Sequence, residues 1–413
     1  MFAKIVISSL LDRKASIFLT LVAMTISIFV ILAVENIRHQ TKKNFESSLS
    51  GTDLIIGSKS GSLNLLLYSV FRVGAPTNNI SWTSFKKISN DSKVKWSIPL
   101  SLGDSHKGFP VLGTNSDYFK YFRYGQKEKL QFRDGEPFDQ IFDVVIGSEI
   151  SKKMNYKIGD KIILSHGLNK NSLQKHNEYP FKIVGILEPT GTPVDRTVHI
   201  KLGGIELIHI GWRNGVQVFD NRLSKKELKA FKMEPKFITA FMVGLESKLN
   251  TFSFQRTINN FVDEPLLAIL PGVVLAQLWE TMSFVEQSLL FVAILVFISA
   301  CFGVSAVLLN SMRERRGEMK LLRVVGATPL FIFCLIEMET VIITLLAISL
   351  ALMFHTSIFI LMTDFIMGEF GVPITAYLNL TSLATVIAAV LLTTMLVGII
   401  PAVAAYVEGS QND

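Results

Sequence analysis

Four long stretches of the chain lack the alternation of polar and apolar positions that marks a soluble fold. Residues 15–34 (ASIFLTLVAMTISIFVILAV) carry no charge, nor do residues 287–312 or 382–405, and residues 330–354 are interrupted only by Glu337 and Glu339. Crossing about 30 Å of hydrocarbon takes about 20 apolar residues in a helix, so the pattern predicts four transmembrane helices. They are placed at 15–34, 287–310, 329–354 and 382–406. The first is too long for a signal-peptide core, and Ala33-Val34-Glu35 is a poor cleavage site, so it reads as an uncleaved anchor.

Between the first two spans, residues 35–286 return to ordinary soluble composition, enough for one or two compact domains. "FDVVIGSEISKKMNYKIGDKIILSHG" reads strand, short helix, Gly-Asp turn, strand; "YPFKIVGILEPTGTPVDRTVHIKL" reads strand, Pro/Gly-rich loop, strand. "KFITAFMVGLES" predicts a strand and "NTFSFQRTINNFVD" a helix, while NKNSLQKHNE (169–178) is an exposed loop. Span one continues as the charged helix ENIRHQTKKNFESSL. On the return, a strand at 266–270 and a turn at Pro271-Gly272 precede a helix from about Val273. If unbroken to Arg313, that helix is roughly 60 Å long at 1.5 Å per residue, so half of it stands outside the membrane as a stalk. The fold class is therefore membrane α-helical: four transmembrane helices with a large α+β extracytoplasmic domain inserted between helices 1 and 2. Residues 1–14 form a cytoplasmic amphipathic helix, 35–286 the extracytoplasmic domain, 311–328 a cytoplasmic loop, 355–381 an extracytoplasmic loop and 407–413 a cytoplasmic tail.

Charge decides the orientation. Arg313, Arg315, Arg316, Lys320 and Arg323 crowd one short loop against Glu314 and Glu318, and the N-terminus adds Lys4, Arg13 and Lys14. Loop 355–381 holds Asp364 and Glu369 but no Lys or Arg. The positive-inside rule places the N-terminus and residues 311–328 in the cytoplasm and the large domain outside, as in a multi-pass membrane protein. The net charge of +7 then reflects cytoplasmic-side basic residues and contact with membrane lipid, with no nucleic-acid partner. Both cysteines, Cys301 and Cys334, fall in spans, which leaves the large domain without a disulfide.

Motifs for independent chemistry fail on spacing. "GTDLIIGSKS" (51–60) separates its glycines by five residues and lacks the Gly-Lys-Ser of a phosphate loop. In "GDSHKG", Ser105 stands beside His106, but the closing glycine comes one residue late for a nucleophile elbow. His106, His166, His176, His199 and His209 have no metal-site spacing and read as scattered surface residues. No catalytic residue and no metal site is assigned. Glu337 is the intramembrane acid of interest, because ionisable groups inside a span face a partner or a polar cavity. Pairing with a loop cation and a role in coupling are both open for it, and Glu339 points to a different face. Ser299-xxx-Gly303 and Gly398-xxx-Ala402 supply small-residue stripes for close helix packing.

Residues 313–326 form one more pattern. Arg313, Arg316, Lys320 and Arg323 fall on one helical face, with Met312, Met319, Leu322 and Val325 along an adjoining apolar stripe. Gly326 suits the position after the helix end, Thr328 can cap the next helix and Pro329 can open it. As physics alone, this is an amphipathic helix at the interface, and a lipid anchor would look the same. Glu314, Arg315, Glu318, Leu322, Arg323, Gly326 and Ala327, however, resemble the coupling-helix motif of MacB/FtsX/LolC-type ABC permeases. Leu335-Ile336-Glu337 is similar to that family's start of span three, and Gly398-Ile-Ile-Pro401-Ala402 to its G-x-x-P-A in span four. "RDGEPFDQIFDVVIGSEI", "KIGDKIIL" and "FKIVGIL" resemble strands of its external domain, so the likeness covers nearly the whole chain. Lys320 departs from a frequent glycine, and VEGSQND replaces the usual Pro-acidic-Ala-Leu-Arg tail.

The resemblance implies a non-enzymatic permease subunit whose loop docks a separate cytoplasmic ABC ATPase, which would bind the ATP and Mg; this chain would bind no cofactor. It implies a second permease copy, as a homodimer or with a related heterodimer partner, and a periplasmic adaptor or cargo protein as a further partner. Exported or released lipoprotein, peptide or another hydrophobic molecule is the expected substrate, with movement transmitted to the outer domain. The rival readings are an FtsX-like signalling protein that activates a periplasmic partner and a metal-linked uptake component.

Overall fold

The structure is a computed structural model and describes residues 14–166, 180–208, 212–213, 216–217, 234–314, 317, 321, 324–370 and 374–410. The chain divides into two compact units, one of residues 1–41, 281–369 and 373–413, the other of residues 42–280 and 370–372.

Helix α1 (Lys14–Ser47) leads to β1 (Leu54–Ser58), α2 (Ser62–Leu66), β2 (Ile80–Ser81), α3 (Trp82–Ser89), β3 (Val94–His106), β4 (Phe109–Thr114) and α4 (Asp117–Tyr121). Next come β5 (Arg123–Tyr124), β6 (Glu128–Lys129), β7 (Phe132–Gly135), β8 (Asp143–Ile146), α5 (Ser148–Met154), β9 (Lys161–Ile162), β10 (Ser165–His166) and β11 (Phe181–Leu187). After β12 (Val198–Lys201) and α6 (Leu202–Ile208) follow β13 (Trp212–Arg213), β14 (Val216–Gln217), β15 (Phe237–Ile238), β16 (Ala240–Leu245), α7 (Thr251–Asn259) and β17 (Leu266–Ile269). The chain leaves the domain through α8 (Pro271–Glu314), then α9 (Pro329–Phe370) and α10 (Leu380–Ser410).

Among the described residues, four helices are long and apolar enough to cross a membrane, and they lie in α1, α8, α9 and α10. Helix α8 is continuous over 44 residues, about 66 Å at 1.5 Å per residue. Pro271 opens it rather than forming a separate turn, because the first helical position needs no N–H. Met24, Ile28 and Leu32 of α1 share a buried apolar cluster with Ala293, Phe297 and Cys301 of α8. In the domain unit the same two helices meet again, with the Lys42 ammonium 5.9 Å from the Trp279 ring centre.

Helix α9 overruns its expected end at residue 354 by sixteen residues, which makes helix of most of the anticipated loop 355–381. The stretch HTSIFILMTDFIMGEF has no proline, and Thr356 satisfies its hydroxyl on the carbonyl of Leu352 at 2.8 Å. His355 is fully buried. Polar side chains that turn inward or bond back to their own helix allow it to continue past the apolar run.

The domain is built on an eleven-stranded sheet in the order β17-β1-β16-β3-β4-β12-β8-β11-β7, with β10 added on β3 and β9 on β11. The pairs β12–β4 and β11–β8 are parallel, so helices and loops cover both faces. All five residues of β1 are buried. Ile55 packs with Leu100, Leu112, Val145 and Met242 on one face, and Leu54 and Ile56 pack with Phe241, Val243 and Phe254 on the other. Gly57 is the glycine of the phosphate-loop lookalike. A Cβ there would lie 2.4 Å from Leu65 Cδ1, so the position serves helix-on-sheet packing.

The helix predicted over 250–263 is α7, which buries Phe254 and Ile258 one turn apart. Its polar side covers an exposed backbone: Ala268 N–H donates to Asn259 Oδ1 at 2.7 Å, and Gln255 Nε2 donates to Ala268 O at 2.9 Å. The predicted strand at 236–247 is split. β15 pairs with β2, whereas β16 joins the main sheet between β1 and β3.

Candidate functional site

The loop joining α8 to α9 has the punctuation its sequence implies. Gly317, Leu321 and Val324 are helical, and Val325 N–H still donates to Leu321 O at 3.1 Å. Gly326 then takes φ +100°, a left-handed conformation that ends a helix with little strain for glycine alone. Thr328 caps α9 by accepting from Phe331 N–H at 3.3 Å through its hydroxyl, and Pro329 opens the helix. Arg315, Arg316, Glu318, Met319, Lys320, Leu322 and Arg323 lie outside the described residues, as do residues 1–13 of the amphipathic helix expected over 1–14; the side chains of Arg313 and Glu314 do likewise. The described part adds an apolar surface that the sequence reading assigned differently. Leu321 is 65% exposed and Val324 and Val325 each 85%. Leu321 and Val324 are three residues apart and hence neighbours on a helix; that spacing was the available signal.

Glu337 lies on α9 against α10. A Cβ on Gly398 would stand 3.2 Å from both Glu337 carboxylate oxygens and from Thr340 Cγ2, so a side chain there would crowd the carboxylate and force it to give by a few tenths of an ångström. Both oxygens are buried and have no hydrogen-bond partner among the described residues. Thr340 does not serve them, since its hydroxyl donates to Ile336 O at 3.0 Å. At the residue before Gly398, Ser305 on α8 donates to Val397 O at 3.1 Å, which ties a third helix to the same place. Glu339 is buried more deeply, at 4% exposure.

Of the two small-residue stripes, Gly398 and Ala402 are buried, and so is Pro401 beside them. Ser299 and Gly303 are not: both are exposed, and nothing lies within 4 Å of a Cβ built on Gly303. The buried face of α8 is instead Phe297, Cys301, Val304 and Leu308. Large residues spaced three and four apart took the contact, and the small stripe points away from this chain's other helices.

A second polar site in the helical unit escaped sequence reading. Gln40 on α1 embraces Thr375, donating from Nε2 to Thr375 O at 2.7 Å and accepting Thr375 N–H on Oε1 at 2.7 Å. Its Nε2 also reaches Tyr377 O at 3.2 Å, and Asn36 Nδ2 donates to Thr375 O at 3.0 Å. His39 Nε2 lies 3.1 Å from Asn379 Nδ2. The partners are some 335 residues apart in sequence, a separation that no local pattern reports.

The domain histidines are not surface residues as expected, where they are described. His106 is 4% exposed and His199 is fully buried. His106 Nδ1 lies 2.7 Å from Ile163 O and Nε2 lies 3.0 Å from the Tyr156 hydroxyl, so the adjacent Ser105 has no free imidazole to use as a base. The His199 ring stacks beside Tyr118 with centres 5.2 Å apart. Burial first, then the nearby Arg72 guanidinium, pushes His199 down to about 3. The side chain of His166 and residues His176 and His209 lie outside the description. Among the described residues no group of three or more His, Cys, Asp or Glu is placed to hold a metal ion.

Two family assignments meet this geometry. Residues 17–231 match the MacB-like periplasmic core domain, and residues 290–406 match the FtsX-like permease C-terminal domain. The chain belongs to the MacB/FtsX-type ABC permeases. Members of this family work with ABC ATPase partners and are usually non-catalytic membrane subunits, and the domain inserted between α1 and α8 is of the MacB periplasmic type. Among solved structures, the periplasmic region of MacB from Actinobacillus actinomycetemcomitans is similar at 10% identity and a TM-score of 0.34, covering 56% of this chain and 94% of that one. The extracellular domain of the noncanonic ABC-type transporter YknZ from Gram-positive bacteria is similar at 12% identity and a TM-score of 0.31, covering 52% and 98%. No curated protein sequence matches the permease.

Proposed function

We propose that this permease couples ATP hydrolysis by a separate cytoplasmic ATPase to movement of its inserted domain, and so exports or releases a lipoprotein, peptide or other hydrophobic molecule from the outer face of the bacterial inner membrane. The observation that carries the reading is the loop between α8 and α9, where exposed Leu321, Val324 and Val325 accompany five Lys and Arg residues within 313–323. An apolar patch rimmed by charge is the composition of a protein interface. The N-terminus and this loop face the cytoplasm, and ATP and Mg belong to the ATPase. Two permease copies make the working unit, a homodimer or a heterodimer with a related chain, each with its ATPase. The uninterrupted α8 supports transmission through the helix rather than passage through a pore, and its pairing with α1 stiffens it. An adaptor or cargo protein would meet the domain outside.

Charge reversal at Arg316 and Arg323 tests the reading in the detergent-solubilised complex. The expected outcome is loss of the copurifying ATPase, steeply so as salt rises. Met319→Ala with Leu322→Ala is expected to accelerate ATPase dissociation about tenfold, with little salt dependence. An ATPase that stays stoichiometrically bound to all four substitutions, with unchanged hydrolysis, leaves the loop as a lipid anchor and removes the coupling reading.

A further inference from the structure

Where β1 ends and β17 begins, the domain carries a cleft of about 380 Å³ lined by Ser58, Lys59, Asn78, Asn79, Phe237, Glu264 and Pro265. That is within the range of small-ligand sites. Its frame is fixed. Lys59 N–H donates to Pro265 O at 2.9 Å, Ser58 Oγ donates to Asn78 O at 3.0 Å, and β15 pairs with β2 through Phe237 and Ser81.

The functional groups that face this frame are of three kinds. Lys59 is exposed and its ammonium has no ion pair or hydrogen bond among the described residues; the side-chain amides of Asn78 and Asn79 are likewise exposed and unengaged. The Phe237 ring is 54% exposed although large and apolar. Glu264 also lines the cleft, and its carboxylate is anchored on Ser81, accepting Ser81 N–H at 3.1 Å and Ser81 Oγ–H at 3.0 Å. Those donors are neutral and leave its charge in place, so the cleft holds one fixed anion and, in Lys59, one cation without an ion pair among the described residues.

A cation, two carboxamides and an aromatic wall are complementary to one arrangement of groups: a carboxylate, the peptide units next to it, and a side chain. A carboxamide pairs with the backbone N–H and C=O of a residue through one acceptor and one donor, as Gln40 does with Thr375 in this same chain, both bonds at 2.7 Å. A carboxylate held by an ammonium makes a charge-assisted bond about twice as strong as a neutral one. We propose that the cleft captures the free C-terminus of a polypeptide, with Lys59 on the terminal carboxylate, Asn78 and Asn79 on the last peptide units, and Phe237 with Pro265 against the last side chain. Recognition of a chain end in this way is an established mode of peptide binding. The inference rests on the reading above only in taking the polypeptide to be met outside the membrane. Binding needs no ATPase, so its failure and a failure of coupling are separate results.

The test uses the full chain in lipid nanodiscs without ATPase, and the probe is fluorescein-labelled Gly-Ser-Ala-Ala-Phe with a free C-terminus, read by fluorescence anisotropy. Saturable binding is expected, weakened about tenfold by amidating the C-terminus and by a similar factor in Lys59→Ala. The pair Asn78→Ala with Asn79→Ala is expected to weaken both acid and amide probes alike. These residues are exposed, and an unchanged melting temperature verifies that each variant is folded. Lauric acid, which shares the carboxylate but has no peptide units, is the competitor and should not displace the probe. Absence of saturable binding, equal affinity for acid and amide, or displacement by lauric acid each overturns the proposal.

Discussion

The two polar sites of the helical unit are opposites. At Gln40, every hydrogen-bonding atom of the carboxamide is used, and the 374–379 segment is fastened to α1 through the backbone of Thr375. At Glu337, two buried carboxylate oxygens have no hydrogen-bond partner among the described residues, and they face Gly398, where a Cβ would crowd them at 3.2 Å. A satisfied buried network rigidifies and specifies one arrangement, whereas an unsatisfied buried group leaves a cost of about 1–3 kcal/mol that a rearrangement can relieve. The difference marks one site as a fixed joint and the other as a contact whose buried acid is left unsatisfied among the described residues.

Breaking the fixed joint carries the largest expected effect. Gln40→Leu removes the bidentate pairing and all the bonds that fasten Thr375 and Tyr377 to α1 through this side chain, so the thermal stability of the purified permease should fall by about 2–3 kcal/mol. A loss under 0.5 kcal/mol would mean that water replaces the side chain and that the joint is not fixed. Next comes Gly398→Val. Its Cβ begins 3.2 Å from both Glu337 oxygens and from Thr340 Cγ2, and overpacking of this kind costs about 1–3 kcal/mol. Pairing it with Glu337→Ala in a double-mutant cycle should recover at least half of the loss, because the obstructing carboxylate is gone; strict additivity would place the strain elsewhere. The smallest change in stability belongs to Glu337→Leu. Replacing an unpartnered buried acid by an apolar side chain of similar size should be neutral or stabilising by about 1 kcal/mol, while ATP-driven release falls. Clear destabilisation by this change would show that Glu337 has a structural partner after all.

How much of this could be read from the sequence depends on the range of the interaction. The spans follow from uncharged runs, and the loop punctuation at Gly326, Thr328 and Pro329 follows from single-residue preferences; both are local. So is the strand, helix, turn and strand series from residue 143 to 166. What sequence missed is non-local. Glu337 stood out as an acid in a span, yet its neighbour Gly398 is on another helix, and Gln40 looked like one polar residue among many in ENIRHQTKK. The end of α9 was placed too early because a hydropathy boundary was taken for a helix boundary. Ser299 and Gly303 were assigned to packing by residue type, but which face of α8 is buried was decided by Phe297, Cys301 and Val304. The histidines were judged polar and therefore exposed, although an imidazole held neutral, as at His199, packs as an aromatic ring.

The covered backbone of β17 has a consequence of its own. An outermost strand with open amides and carbonyls is a template on which any other extended chain can add itself, including a half-made copy of the same protein. Here Asn259 and Gln255 occupy the Ala268 amide and carbonyl, so a passing chain finds no register to copy at that point. The domain can thus present side chains at this edge without being recruited into a shared sheet.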